Sequence, residues 1–362
     1  MFKFFNLILQ DTQMERIIDM RSDTVTLPTK EMKQTMLTAP LGDDVFGEDP
    51  TVNVIFIFFH CKKKVASLLG KEDALFVPSG TMANLICVLG HCWSRGSEVI
   101  LGDQTHIFLF EQGGIAQLGG VHPRPLPNLP DGTFSIELME NVFRDNNIHF
   151  PVTSLVCIEN THNLIGGKAL PLQWVDEVGR KCKELGVPLH VDGARLFNAS
   201  VLLNVPPERL VRDASSVNIC VSKGLGAPVG SVIAASHEFI ERAKRLRKVL
   251  GGGMRQSGVL ASMGIYAIDH ATETIVNDHK NMALIANEAI EETEETEATE
   301  ETEETEETEA TEETEETEET EATEETEETE ETEETKEIEK TEETEETKET
   351  EETDETKEIE ET

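Results

Sequence analysis

Short apolar runs alternate with longer amphipathic stretches between Ala74 and Ala235. The runs Ala74–Val77, Glu98–Leu101, Thr153–Ile158, Val187–Val191, Ser216–Val221 and Gly230–Ala235 are nearly continuous in apolar residues. Runs of that length and character predict strands covered on both faces. Between them, Thr81–Gly90, Ser135–Arg144 and Leu172–Leu185 carry apolar residues at helical spacing, and His237–Val249 and Gln256–His270 continue with the same period. The alternation predicts an α/β domain built on a mostly parallel sheet. In open sheets of this kind ligands bind beyond the carboxyl ends of the strands. The residues directly after each run are therefore the candidates for chemistry.

The first run leads into Pro78-Ser79-Gly80-Thr81 and then a helix. Such a turn offers free N–H groups and the positive end of a helix dipole to an anion, although the same residues also make an ordinary helix cap. The run ending at Val191 is followed by Asp192-Gly193-Ala194-Arg195. A carboxylate at a buried strand end is costly unless a cation pairs with it. It reads either as half of a structural Asp–Arg pair or as a partner for a cationic ring nitrogen. The run ending at Val221 is followed by Ser222-Lys223-Gly224. A desolvated Lys there can lose its proton and form a Schiff base with a carbonyl. The glycines from Gly224 to Gly230 lack the spacing and the strand-to-helix context of a dinucleotide fingerprint, and no Walker motif is present. His106 and His162 lie just past two further runs. A phosphate turn, an Asp for a pyridine nitrogen, a Lys for an aldehyde and a His to cover a ring together match the needs of pyridoxal 5'-phosphate.

Charge changes the picture at one end only. The 362 residues carry a formal net charge of −41. After Ile290 the chain is an acidic Glu-Glu-Thr repeat of 72 residues, whose 40 Glu and one Asp against four Lys give −37. The first 290 residues hold only −4, which offers no basic face for nucleic acid. The repeat holds five apolar residues, Ala298, Ala310, Ala322, Ile338 and Ile359, too few for a core, and is expected to be disordered. Six scattered cysteines form no CxxC pair and fit a reducing compartment. Cys87, His91 and Cys92 cluster on an apolar helix with no second pair at zinc spacing, so no metal is expected. The apolar start Met1–Leu9 is too short to span a bilayer and lacks a cleavage site.

Several segments resemble the threonine aldolases: Met20-Arg21-Ser22-Asp23-Thr24-Val25-Thr26, the stretch from Gly42 to Pro50, His190 to Arg195, Ser222 to Gly230, and Gly251-Gly252-Gly253-Met254-Arg255-Gln256. The resemblance covers about Ile17 to Ile290. It implies the aspartate-aminotransferase-like fold (fold type I) of pyridoxal-phosphate enzymes, a cytosolic homotetramer, and cleavage of L-threonine or L-allo-threonine to glycine and acetaldehyde. By resemblance, Lys223 is the Schiff-base lysine, Asp192 the partner of the ring nitrogen and His106 the residue stacked on the ring. Gly80 and Thr81 match phosphate ligands, Ser22 and Arg195 flank the substrate carboxylate, with Arg195 also near the cofactor, and His162 lies near the substrate hydroxyl. Arg255 approaches the cofactor phosphate, in the resemblance from a neighbouring subunit. His106, His162 or a held water is the base, and the residues do not decide among them.

The chain departs from the family's pattern twice. Val54-Ile55-Phe56-Ile57-Phe58-Phe59 reads as an inserted apolar strand where an amphipathic helix is expected. The acidic repeat also stands where the family's small C-terminal domain continues, as altered splicing or an erroneous gene prediction would produce. The expected organisation is an extension over residues 1–16, an enzyme body over 17–290 whose small domain starts near residue 250 and stays incomplete, and the acidic tail over 291–362. A second carboxylate-binding arginine then has no counterpart. That leaves two alternatives to an aldolase: a relative that binds cofactor but is catalytically impaired, and an interaction protein working through its acidic tail.

Overall fold

The computed structural model describes residues 18–56 and 64–290. One unit extends to Asn281 and a second begins at Met282, where residues 282–290 are helical. The N-terminal extension, the end of the apolar run from Val54 and the acidic repeat lie outside the described residues.

Among the described residues, seven strands form one sheet: β1 (Asp73–Val77), β2 (Ser97–Gly102), β3 (His122–Leu126), β4 (Val152–Glu159), β5 (Leu189–Asp192), β6 (Ser216–Cys220) and β7 (Ser231–Ala235). Their order is β1-β7-β6-β5-β4-β2-β3. The block from β3 to β6 is parallel, and β7 runs antiparallel to both β6 and β1. The six predicted strands fall on β1, β2 and β4 to β7. The sequence pattern misses β3, whose His-Pro-Arg-Pro-Leu is mostly accessible and, among the described residues, pairs only with β2. Pro123 and Pro125 donate nothing to a ladder, which suits an edge position.

The helices follow from caps and faces. Ser79 Oγ accepts from Met82 N at 3.2 Å and starts the helix Gly80–His91, whose residues Ala83 to Val88 are buried. The helix Leu172–Leu185 buries Val175, Val178, Gly179 and Cys182, and stops where Gly186 turns left-handed at φ 68°. Ser236 caps His237–Val249 in the same way as Ser79. Phe76, Ile100, Val156, Ile219 and Ile233 belong to the core that these layers enclose. The predicted strand over Val54–Phe59 is corrected in part. A helix spans Pro50–Phe56, so its helical start outweighs the apolar run as far as the structure describes it. Asp49 steadies that start: its carboxylate accepts from the amides of Thr51, Val52 and Gly258.

Candidate active site

The carboxyl ends of β2, β4, β5 and β6 carry His106, His162, Asp192 and Lys223. Asp192 closes β5 and is 2% exposed. Its carboxylate accepts from Asn84 Nδ2 at 2.8 Å and from Ala194 N at 3.1 Å. The structural pair of Asp192 with Arg195 does not form. Arg195 instead grips Asp23, Nε to Oδ2 at 2.8 Å and Nη2 to Oδ1 at 2.7 Å, with Nη1 donating to Asn163 Oδ1 at 3.0 Å. Burial pushes the Asp23 carboxyl up. Hydrogen bonds and charge from Arg195, the charge of Lys223 and the Gly224 amide outweigh it and hold Asp23 below the usual carboxylate range. Ser22 caps the turn that carries Asp23, with its Oγ accepting from Thr24 N.

Lys223 lies three residues past β6 and is half-buried. Thr26 Oγ1 donates to its carbonyl at 2.8 Å, which ties the lysine's backbone to the Asp23 turn. No hydrogen bond from its Nζ forms among the described residues, and its charge acts on Asp23 and His106. Gly80 is required by space: a Cβ there would stand 2.6 Å from Cys220 Sγ. Thr81, beside it, is exposed at the first turn of the helix.

His106 follows β2 and is held at both ends. Its backbone N donates to Glu159 Oε2 at 2.6 Å, and its Nδ1 lies 2.9 Å from Glu111 Oε1. The Glu111 hydrogen bond raises the imidazole above its ordinary range despite partial burial. Glu159 ends β4 and is pushed up to about 7, by burial first and then by the Asp192 charge. His162 is 1% exposed, and neither ring nitrogen has a hydrogen-bond partner among the described residues. Burial lowers it and keeps it neutral, with the charges of Asp103 and Asp192 opposing. His106, Glu111 and Asp192 bring ligand atoms within 4.8 Å of one another. Asn84 Nδ2 already donates to both carboxylates there, so an amide spans the space a cation would need.

Arg255 stands apart. It pairs with Asp43 at 2.8 Å and lies over the Phe46 ring, with no contact to the Gly80 turn among the described residues. A wide cleft of about 1370 Å³ beside it is lined by Phe46, Trp93, Arg242, Arg245 and Val249 and contains none of the clustered residues. The charged groups converge in the strand-end cluster, not in that cleft. The sequence reading misses Asn84, Glu111, Glu159 and Asn163. Glu159 was open to discovery as the residue at a strand end, and Asp23 lay unremarked beside Ser22. Asn84 and Glu111 carry no signal short of the folded chain.

A mixed, mostly parallel sheet with its polar cluster beyond the carboxyl ends defines the aspartate-aminotransferase-like class, fold type I. A threonine aldolase from Leishmania major has the same fold, with a TM-score of 0.59 at 22% identity over 72% of this chain and 75% of that one. The family model for beta-eliminating lyases matches residues 19–312, past the start of the acidic repeat. A probable low-specificity L-threonine aldolase of Arabidopsis thaliana is 52% identical over 273 residues, 75% of each chain. The low specificity L-threonine aldolase of Escherichia coli K12 is 45% identical over 272 residues, 75% of this chain and 79% of that one. The chain belongs to the beta-eliminating lyase family and, within it, to the low-specificity L-threonine aldolases.

Proposed function

We propose that this lyase cleaves L-threonine and L-allo-threonine to glycine and acetaldehyde with pyridoxal 5'-phosphate. The observation that carries the reading is the convergence of Asp192, His106 and Lys223 at three strand ends, with the Lys223 ammonium uncommitted. Two further features suit that cofactor. The Gly80 turn is too tight against Cys220 for any side chain, as a backbone phosphate cradle requires. The buried His162 ring has no hydrogen-bond partner for either nitrogen among the described residues, as a group awaiting a polar ligand would.

Bound pyridoxal phosphate supplies an electron sink for the pair released when the substrate Cα–Cβ bond breaks. Asp192 would face its ring nitrogen, His106 its ring, the Gly80 and Thr81 amides its phosphate, and Lys223 its aldehyde. Arg195 uses three of its five N–H donors on Asp23 and Asn163, which leaves two for the substrate carboxylate beside Ser22. His162 suits the base that takes the β-hydroxyl proton: it is neutral and uncommitted, whereas His106 Nδ1 is held by Glu111. Arg255 would complete a neighbouring subunit's phosphate site, and the exposed Phe46, Trp93 and Val249 around the wide cleft support self-association. By resemblance the assembly is a cytosolic homotetramer. No described helix is long and apolar enough to cross a membrane. The body is read as ending at Ile290, with residues 291–362 an acidic tail.

The test is acetaldehyde release from L-allo-threonine and L-threonine by the full chain with added pyridoxal phosphate. Lys223→Ala should abolish both the release and the visible absorbance of the lysine-bound cofactor. Absorbance without release would make the chain a cofactor-binding relative that has lost catalysis.

A further inference from the structure

Asn84 lies on the helix Gly80–His91, one turn past the Gly80 turn, and is 2% exposed. No step of the proposed reaction uses it. Its amide nitrogen donates to Asp192 Oδ2 at 2.8 Å and to Glu111 Oε1 at 2.7 Å. Both amide hydrogens are thereby spent. Its Oδ1 lies 3.1 Å from His190 Nε2. The amide's orientation is fixed by chemistry, since a flipped amide would aim its oxygen at two carboxylates.

The rest of the chain follows from that orientation. His190 Nε2 must carry a proton to donate to Asn84. His190 Nδ1, 2.9 Å from Ser216 Oγ, then accepts the hydroxyl proton. Ser216 Oγ is left to accept from His91 Nε2 at 2.9 Å. Burial holds His190 down to about 4 and His91 down to about 3, so each ring is neutral with one donor, as this polarity demands. A directed series of hydrogen bonds thus runs from His91 through the sheet to Asp192 and Glu111. Its last oxygen, Glu111 Oε1, is also the partner of His106 Nδ1.

We propose that Asn84 is a positioning residue whose one amide fixes Asp192 and, through Glu111, His106, so that the ring-nitrogen partner and the ring-covering residue are held in register. This rests on the reading of the cluster as a pyridoxal-phosphate site. The amide suits the task because it is a donor without charge. A cation in its place would compete with the ring nitrogen for Asp192. With no donor there, burial and the Asp192 charge would raise the Glu111 carboxyl further, and neither its grip on His106 nor the orientation of Asp192 would be fixed.

The experiment titrates pyridoxal phosphate into the full-length wild type, Asn84→Leu and Asn84→Asp, following the visible absorbance, with the melting temperature of each cofactor-free chain as the fold check. Asn84→Leu should weaken cofactor binding about tenfold or more, the loss of hydrogen bonds to charged acceptors. Asn84→Asp should be as weak at about pH 8, yet recover toward wild type at about pH 6, where a protonated carboxyl again donates a hydrogen. Asn84→Leu should show no such recovery, a difference a packing role would not produce. If Asn84→Leu fails to fold, the pH series on Asn84→Asp decides. Wild-type affinity and spectrum in Asn84→Leu, or no pH recovery in Asn84→Asp, would overturn the proposal alone. A wild type without the absorbance would overturn the cofactor reading together with it.

Discussion

Replacing Glu159 by Gln isolates the electrostatic cost built into the site. Glu159 is 5% exposed and forms no salt bridge among the described residues. Among those residues its carboxylate accepts only from two amides, His106 N at 2.6 Å and Asn163 N at 3.0 Å. Burial and the Asp192 charge hold it at about 7 against an ordinary 4.5. Because the folded value is the higher one, folding takes up a proton across that window. The group's contribution to stability is full below 4.5 and is lost as pH rises through 7. At about 1.4 kcal/mol per pH unit, the gap corresponds to a loss on the order of 3 kcal/mol. Gln cannot titrate, and with one carbonyl oxygen it leaves one amide unserved, a pH-independent cost of about 1–3 kcal/mol. Urea unfolding of the cofactor-free full chain at a series of pH values measures both. The stability of wild type minus variant should fall by on the order of 3 kcal/mol across the window. Subtraction removes the opposing titration of His190 and His91, which is common to both proteins. Parallel stability curves across the window would refute the reasoning.

Two further outcomes follow from close contacts. Gly80→Ala places a Cβ 2.6 Å from the buried Cys220 Sγ, and overpacking of that kind costs about 1–3 kcal/mol. Thermal melting should show the loss, and Cys220→Ala in the same background should restore part of it. Asp23→Asn strips the anion from the bidentate Arg195 pair and frees the guanidinium to swing. At about 1.5–3 kcal/mol for a hydrogen bond to a charged group, kcat/KM for threonine substrates should fall about 10–100-fold, mainly through KM. Steady-state kinetics with an unchanged KM would count against that role for Arg195.

The strands and helices of the body were legible because buried parallel strands are continuous in apolar residues and the helices bury one face. β3 was not, because an edge strand with two prolines is neither buried nor apolar. The Val54 run misled for a related reason: large apolar residues suit a buried helix as well as a strand, and the start fixed by Asp49 carries helix through Phe56. Lys223, Asp192, His106 and Gly80 could be singled out as candidates because strand ends and helix starts are where this topology puts chemistry.

What the sequence determined by itself, then, is the succession of elements, the strand-end side chains and the separation of a near-neutral body from an acidic repeat. These are local properties of periodicity, caps and charge. Only the tertiary structure decided who partners whom. Arg195 could have paired with Asp192, three residues away, yet it grips Asp23, 172 residues away. Asp192 is left to a neutral side-chain amide from the helix Gly80–His91 and to the Ala194 backbone. That choice cannot be read along the chain, because pairing in a buried site is set by which groups the sheet brings within about 3 Å, and by the cost of leaving any of them without a partner.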